Sequence, residues 1–241
     1  MNRLQLIYKG KTGTRVSLQP LAHALLTNKP LEKCLLLAGT DDAPLGDLFT
    51  IKGTLDKDAV DITIDVGGAH LWHAGADWQR GTLRINGEGG DYLAGGSAGA
   101  TRGMRGGLIH VMGNGGNHIG DKMNRGIILI EGSVGRACGK RMLGGTIVVA
   151  KAYDTHIGHA MRRGSIFLLG TPQKNTTTTP LPQDPRFTDC GAHDLPFLQM
   201  MTRAIDTLSP TLGKTLHKTR NWQRYAGDSI VAGKGEIWLP T

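Results

Sequence analysis

Aromatic side chains are scarce: Phe, Trp and Tyr make up 5% of the 241 residues. A core of this chain therefore cannot rest on ring packing. Cysteine occurs three times, at Cys34, Cys138 and Cys190. An odd number at wide spacing fits neither a disulfide framework nor a Cys-x-x-Cys zinc or iron–sulfur site, and the natural compartment is a reducing cytoplasm. No apolar run approaches the roughly 20 residues that span a bilayer, so no membrane partner is expected. The opening MNRLQLIYKG lacks the apolar stretch and small-residue cleavage site of a signal peptide. Neither G-x-G-x-x-G nor G-x-x-x-x-G-K-S/T occurs, which removes both common mononucleotide folds. No Ser/His/Asp set stands out either.

What the chain has in excess is glycine. Its 36 glycines are about twice the roughly 7% of an average protein, without a Gly-X-Y period. The second unusual feature is charge. Of a net +8, residues 1–100 carry −1, residues 101–163 carry +7 and residues 164–241 carry +2. Positive charge concentrated in the one stretch 101–163 points to an acidic partner or ligand. Nucleic acid is disfavoured, because no stacking aromatics interleave with the basic residues.

The basic stretch also holds an internal repeat. Met104, Met123, Met142 and Met161 recur at a constant 19-residue step, and three further columns keep it. These are Gly107, Gly126, Gly145 and Gly164; Ile109, Ile128, Ile147 and Ile166; and Val111, Ile130, Val149 and Leu168. Gly81, Leu83, Ile85 and Gly87 match the same columns upstream, but the step from Gly81 to Gly107 is longer than the rest. Ile64, Val66 and Gly68 then fit one 19-residue step earlier, and Phe49, Ile51 and Gly53 suit a first coil. Each copy reads as a strand with apolar residues at i and i+2, closed by a glycine turn. A copy of this length is too short for a strand plus a returning crossover helix. It suits one coil of a parallel β-solenoid, with coils stacked at about 4.8 Å. Met104, Met123, Met142 and Met161 with Ile109, Ile128, Ile147 and Ile166 would then form core ladders. Gly81, Gly107, Gly126, Gly145 and Gly164 would be the coil-turn glycines, and Cys138 a small core residue.

The expected organisation is an N-terminal lead-in over 1–46, the repeat domain over 47–170, and a linker, helix and tail over 171–241. LQLIY, VSLQ and CLLLAG in the lead-in are candidate strands, and LAHALL a helical turn. TPQKNTTTTPLP at 171–182 reads as a Thr/Pro linker. After it, Asp194 is a candidate N-cap and Pro196 a first-turn residue. Leu195, Leu198, Met201, Ile205 and Leu208 form a stripe at helical spacing. That short helix would cover the open last coil. One or two short strands follow within 221–241.

The basic residues recur near one point of each copy: Arg102 and Arg105, Lys122 and Arg125, Lys140 and Arg141, Arg162 and Arg163. They are the candidate contact for an acidic partner surface or a polyanionic carrier. His118 and His156 share a column two coils apart, about 10 Å at the strand spacing, with Ala137 between them. That is too far for one metal ion, and no metal site is expected. Glu88 and Asp91 are the nearest thing to a carboxylate pair, and acids are sparse where the repeat is strongest.

The copies GGLIHVMGNGGNHIGDKMNRG, GIILIEGSVGRACGKRMLGG and GTIVVAKAYDTHIGHAMRRG resemble the GXGXG repeat domain. This domain is a right-handed parallel β-helix shared by glutamate synthase large subunits and by the C subunit of formylmethanofuran dehydrogenase. The GDLF segment at 46–49, CGAHDLPFL at 190–198 and RYAGDSIVAGKGEIW at 224–238 resemble the second. The resemblance implies an all-β, right-handed β-helix and a structural, non-catalytic member of an enzyme complex, with no catalytic residue and no cofactor on this chain. In its bacterial form the complex moves a formyl group from tetrahydromethanopterin to a methanofuran-type carrier and releases formate. In the alternative, a molybdenum or tungsten pterin on another subunit reduces carbon dioxide. The compact chain, without an added metal-binding segment, favours the bacterial form. Implied partners are amidohydrolase-like A, B and formyltransferase-like D subunits. The carrier's acidic tail is an implied ligand for the basic residues. A glutamate-synthase-type module and a free-standing β-helix enzyme are the remaining readings.

Overall fold

The computed structural model describes residues 3–27, 30–55, 60–97, 99–173, 184–219 and 221–241. Strands β1 (Leu4–Tyr8) and β2 (Arg15–Ser17) precede helix α1 (Gln19–Leu26). Next come β3 (Leu35–Ala38), β4 (Asp41–Pro44), the single-turn α2 (Leu45–Leu48) and β5 (Phe49–Lys52). The repeat region supplies β6 (Asp61–Asp65), β7 (His70–Trp72), β8 (Thr82–Asn86), β9 (Arg105–Val111), β10 (Arg125–Ile130), β11 (Thr146–Val149) and β12 (Ser165–Leu168). The chain closes with β13 (Phe187–His193), α3 (Pro196–Leu208), α4 (Pro210–Lys218), β14 (Trp222–Gly227) and β15 (Gly235–Pro240).

The expected all-β, right-handed β-helix is not what these elements build. They form a mixed α/β fold with an eleven-stranded sheet, ordered β13-β14-β15-β12-β11-β10-β9-β8-β6-β1-β5, and a four-stranded sheet, ordered β4-β3-β2-β7. Among the described residues four α-helices accompany the two sheets. Among the described residues there is no closed solenoid. The reason lies within each copy. One limb is a regular strand that joins the large sheet. From β8 onward, the rest is glycine-rich turn that meets its neighbours through isolated bridges, such as Gly90↔Gly115 and Val134↔Tyr153, and single hydrogen bonds rather than regular strand. The chain ends add antiparallel strands and helices that the repeat does not encode.

Inside the large sheet, eight strands run parallel, from β1 through β6, β8, β9, β10, β11 and β12 to β15. Ile109 pairs with Ile128, Ile128 with Ile147, and Ile147 with Ile166. These isoleucines and Met104, Met123, Met142 and Met161 are all wholly buried. Each such side chain stabilises the fold by roughly 1.5–3 kcal/mol relative to an exposed one. Cys138 joins the same core, and burial pushes its thiol up to about 12.

Two register expectations are corrected. Ile64 pairs with Ile85, not with Leu83, so the first step is two positions longer than expected. A two-residue shift keeps every side chain on its face, which is why apolar alternation could not separate the two. Phe49–Lys52 is no stacked coil either: β5 pairs antiparallel with β1, which intervenes between it and β6.

Gly81, Gly107, Gly126, Gly145 and Gly164 all have left-handed φ, from +74° to +103°. At Gly107 the need is twofold. Its φ is +78°, and a Cβ there would lie 2.5 Å from the Gly81 carbonyl oxygen one copy back.

The C-terminal helix starts at Pro196 with Leu195, not Asp194, at the N-cap. A second helix follows at once, capped by the Ser209 hydroxyl, which accepts from the Leu212 N–H. The helices lie not over the end of the sheet but on its outer face. There Leu198, Ile205, Leu212 and Leu216 pack with Leu129, Val148, Phe167 and Trp238. The sheet end beside β12 is covered instead by β15, β14 and β13. A buried polar tie fixes the helices: His110 Nε2 and Ser209 Oγ each lie 2.8 Å from Glu131 Oε1. Of the expected linker, residues 174–182 lie outside the described residues. Pro172 at its start makes a parallel bridge to Tyr153.

Candidate functional site

Away from the regular strands, each copy turns through a residue in the left-handed region. His73, Tyr92, His118, Ala137 and His156 sit there, with φ between +52° and +61°. Such φ values are uncommon outside glycine, and here they recur because the hydrogen bonding recurs. The His73 N–H donates to Asp91 O, Tyr92 N–H to Asn117 O, His118 N–H to Arg136 O, and Ala137 N–H to Thr155 O, at 2.8 to 3.0 Å. Side chains reinforce this ladder. Asp91 Oδ1 accepts from the Asn117 N–H at 2.7 Å, and Asn117 Oδ1 from the Arg136 N–H at 2.8 Å. Asp91 is thus committed to the turn. Glu88 is likewise committed, accepting from the Asn114 N–H at 3.2 Å.

A common backbone brings the rings together. His73 and Tyr92 stack at 5.0 Å between centroids, and Tyr92 and His118 at 4.7 Å with 9° between planes. Trp72 extends the row, 4.7 Å from His73, and the Arg15 guanidinium lies 3.7 Å over the Trp72 ring. The row stops at Ala137. Beyond it, His156 meets His159 edge-on at 6.2 Å.

Two cavities flank Tyr92. One, of about 560 Å³, is lined by Trp72, His73, Tyr92, Asp121, Lys122 and Arg141 among others. The other, of about 520 Å³, is lined by Tyr92, His118, Arg136, Ala137, Lys140, His156 and His159 with Asp91 and Asn117. Two buried polar atoms of residues lining the first lack a protein partner, Trp72 Nε1 and His73 Nδ1.

The surroundings of three histidines, His73, His118 and His159, favour the neutral ring. Burial, then the charge of Arg15, lowers His73 below its ordinary value. Burial, then Lys140, does the same at His118, and burial, then Arg186, at His159. Buried Asp121 holds Arg141 through two contacts, of 3.0 and 2.5 Å. Arg186 bridges His159, Asp184 and Asp228, tying the last turn of the row to β13. The arrangement can hold flat and negatively charged groups. Among the described residues no cluster of three or more His, Cys, Asp or Glu could hold a metal ion.

The eight candidate basic residues fall into two places rather than one. Lys122, Lys140 and Arg141 line the cavities. Lys122 Nζ donates to Ala100 O at 2.6 Å. Arg105 and Arg125 are paired neighbours at the starts of β9 and β10. Arg163 takes the equivalent place two copies on: the Arg125, Gly144 and Arg163 N–H groups each bond a buried methionine carbonyl, of Met104, Met123 and Met142. Arg102 and Arg162 are exposed beside this second group. The ring row itself escaped the sequence reading. Its one signal was the His118–Ala137–His156 column. The longer step from Tyr92 to His118 hid the rest.

No protein-family model matches the chain, and no curated protein sequence matches it. The chain is similar to one in the X-ray crystal structure of the formyltransferase/hydrolase complex (FhcABCD) from Methylorubrum extorquens in complex with methylofuran. The two are 26% identical, with a TM-score of 0.68, over 98% of this chain and 99% of that one. Among the described residues no helix is long and apolar enough to cross a membrane.

Proposed function

We propose that this chain is a non-catalytic subunit of a formyltransferase/hydrolase-type complex of one-carbon metabolism. The observation that carries the reading is the similarity over nearly the full length of both chains to a component of such a complex. In this role the chain supports partner subunits in the cytoplasm, the amidohydrolase-like and formyltransferase-like ones among them. They pass a formyl group from tetrahydromethanopterin to a methanofuran-type carrier and on to formate.

The chain's own contribution is positional. Lys122, Lys140 and Arg141 present positive charge at the two cavities, and an acidic carrier tail is the matching ligand. Arg141 is already oriented by Asp121, so it meets an anion with little ordering cost. Support for a carrier of this class comes from the comparison complex, which was crystallised with methylofuran.

The test is purification of the tagged chain from its native cell, with mass spectrometry and metal analysis of what accompanies it. Amidohydrolase-like and formyltransferase-like partners without molybdenum or tungsten are expected. Partners carrying iron–sulfur clusters with either metal would move the chain to the redox enzyme. Recovery of the chain alone would sink the subunit reading.

A further inference from the structure

The row of rings has one empty level, and it lies inside a cavity. His118 and His156 occupy the same left-handed turn position as Ala137, one copy to either side. Successive copies are stacked at the strand spacing of about 4.8 Å, so the turns of His118 and His156 lie about 10 Å apart. A flat ring at the level of Ala137 would sit about 4.8 Å from each, close to the 4.7 Å between Tyr92 and His118. Ala137 lines a cavity of about 520 Å³ together with His118, His156, Arg136 and Lys140. That volume falls within the roughly 300–1,000 Å³ of small-molecule pockets. The one carboxylate there, Asp91, already accepts the Asn117 N–H through Oδ1. We infer that the level of Ala137 is a binding slot for a small molecule with a flat aromatic ring and an anionic group. The ring stacks between His118 and His156, and the anion meets Lys140 and Arg136.

The inference does not rest on assembly into a complex, and its test uses the purified full-length chain. The probe is 2-naphthoate, whose fluorescence reports stacking; 2-naphthamide and cyclohexanecarboxylate are the uncharged and the non-planar controls. Saturable quenching by the protein is expected, with the naphthoate bound at least about tenfold more tightly than either control. Ala137→Tyr should fill the slot and abolish binding. Tyr92 already carries a tyrosine ring on the same turn conformation, so the variant should keep its circular dichroism and melting profile. Lys140→Glu, which leaves Ala137 and both histidines in place, should weaken binding at least about tenfold, as for loss of one charge-assisted contact. Absence of saturable quenching, undiminished binding in both variants, or equal binding of cyclohexanecarboxylate would overturn the assignment.

Discussion

Two glycines with the same backbone angle separate conformational strain from crowding. Gly107 and Gly99 both have φ of +78°. A Cβ at Gly107 would meet the Gly81 carbonyl oxygen at 2.5 Å, the Arg80 carbonyl carbon at 2.9 Å and Trp78 Nε1 at 3.0 Å. A Cβ at Gly99 would meet nothing within 4 Å. Alanine in the left-handed region costs about 1–2 kcal/mol at either site. The smaller gain from a less flexible unfolded chain, about 0.4–1 kcal/mol, enters both variants equally. Overpacking against backbone that cannot move adds about 1–3 kcal/mol at Gly107 alone. Gly107→Ala should therefore be less stable than Gly99→Ala by about 1–3 kcal/mol. With a urea slope of about 3 kcal/mol/M, that separates the unfolding midpoints by about 0.3–1 M at unchanged slope. Equal midpoints for the two variants would refute the claim that close stacking of successive copies sets the glycine column.

Met142→Ala empties a wholly buried position in the methionine ladder. It should lose about 2–5 kcal/mol, read in calorimetry as a melting point lower by at least about 4 °C; an unchanged melting point would contradict the core assignment. Ser209→Ala removes both the α4 cap and the bond to Glu131. It should cost about 1 kcal/mol and speed amide exchange in α4 while leaving β10 and β11 protected; uniform loss of protection would argue against a local tie. His73, His118 and His159 all titrate below the ordinary 6.5, chiefly through burial. Protonating them opposes folding, so their contribution is fully present above about pH 6.5 and is lost as pH falls through the lowered values. The urea midpoint should thus be lower at pH 5 than at pH 7.5; a flat or rising profile towards pH 5 would contradict this. Charge reversal at Lys140 and Arg141 together should raise the KM of the complex for the carrier without dissociating it, as size-exclusion chromatography would check.

How much of this was legible in the sequence depended on period. Between Gly107 and Leu168 an unbroken 19-residue step made the Ile109–Ile128–Ile147–Ile166 ladder readable residue by residue. Upstream, the step from Ile64 to Ile85 is two positions longer, and apolar alternation with period two cannot tell the two lengths apart. The repeat also could not say how much of each copy would pair as regular strand. The closed coil it suggested gives way to one strand per copy in the large sheet, with turns and isolated bridges beyond. Helix α4 was hidden by Gly213, a poor helix residue. A Cβ there would come within 2.6 Å of Asp206 Cα, so the tight α3–α4 packing requires the glycine. The basic residues were visible as a set, but their division between strand starts and cavity rims follows from which N–H bonds which carbonyl. The ring row needed the fold, because the step from Tyr92 to His118 falls outside the regular period.

The most direct measurement is formate release from a formylated methanofuran-type carrier, made on three preparations. These are the intact complex, partner subunits prepared without this chain, and the chain alone. Turnover by the first, impaired turnover by the second and none by the third is the predicted result. Turnover by the isolated chain, or an undiminished rate from the partners without it, would contradict the role of a non-catalytic subunit.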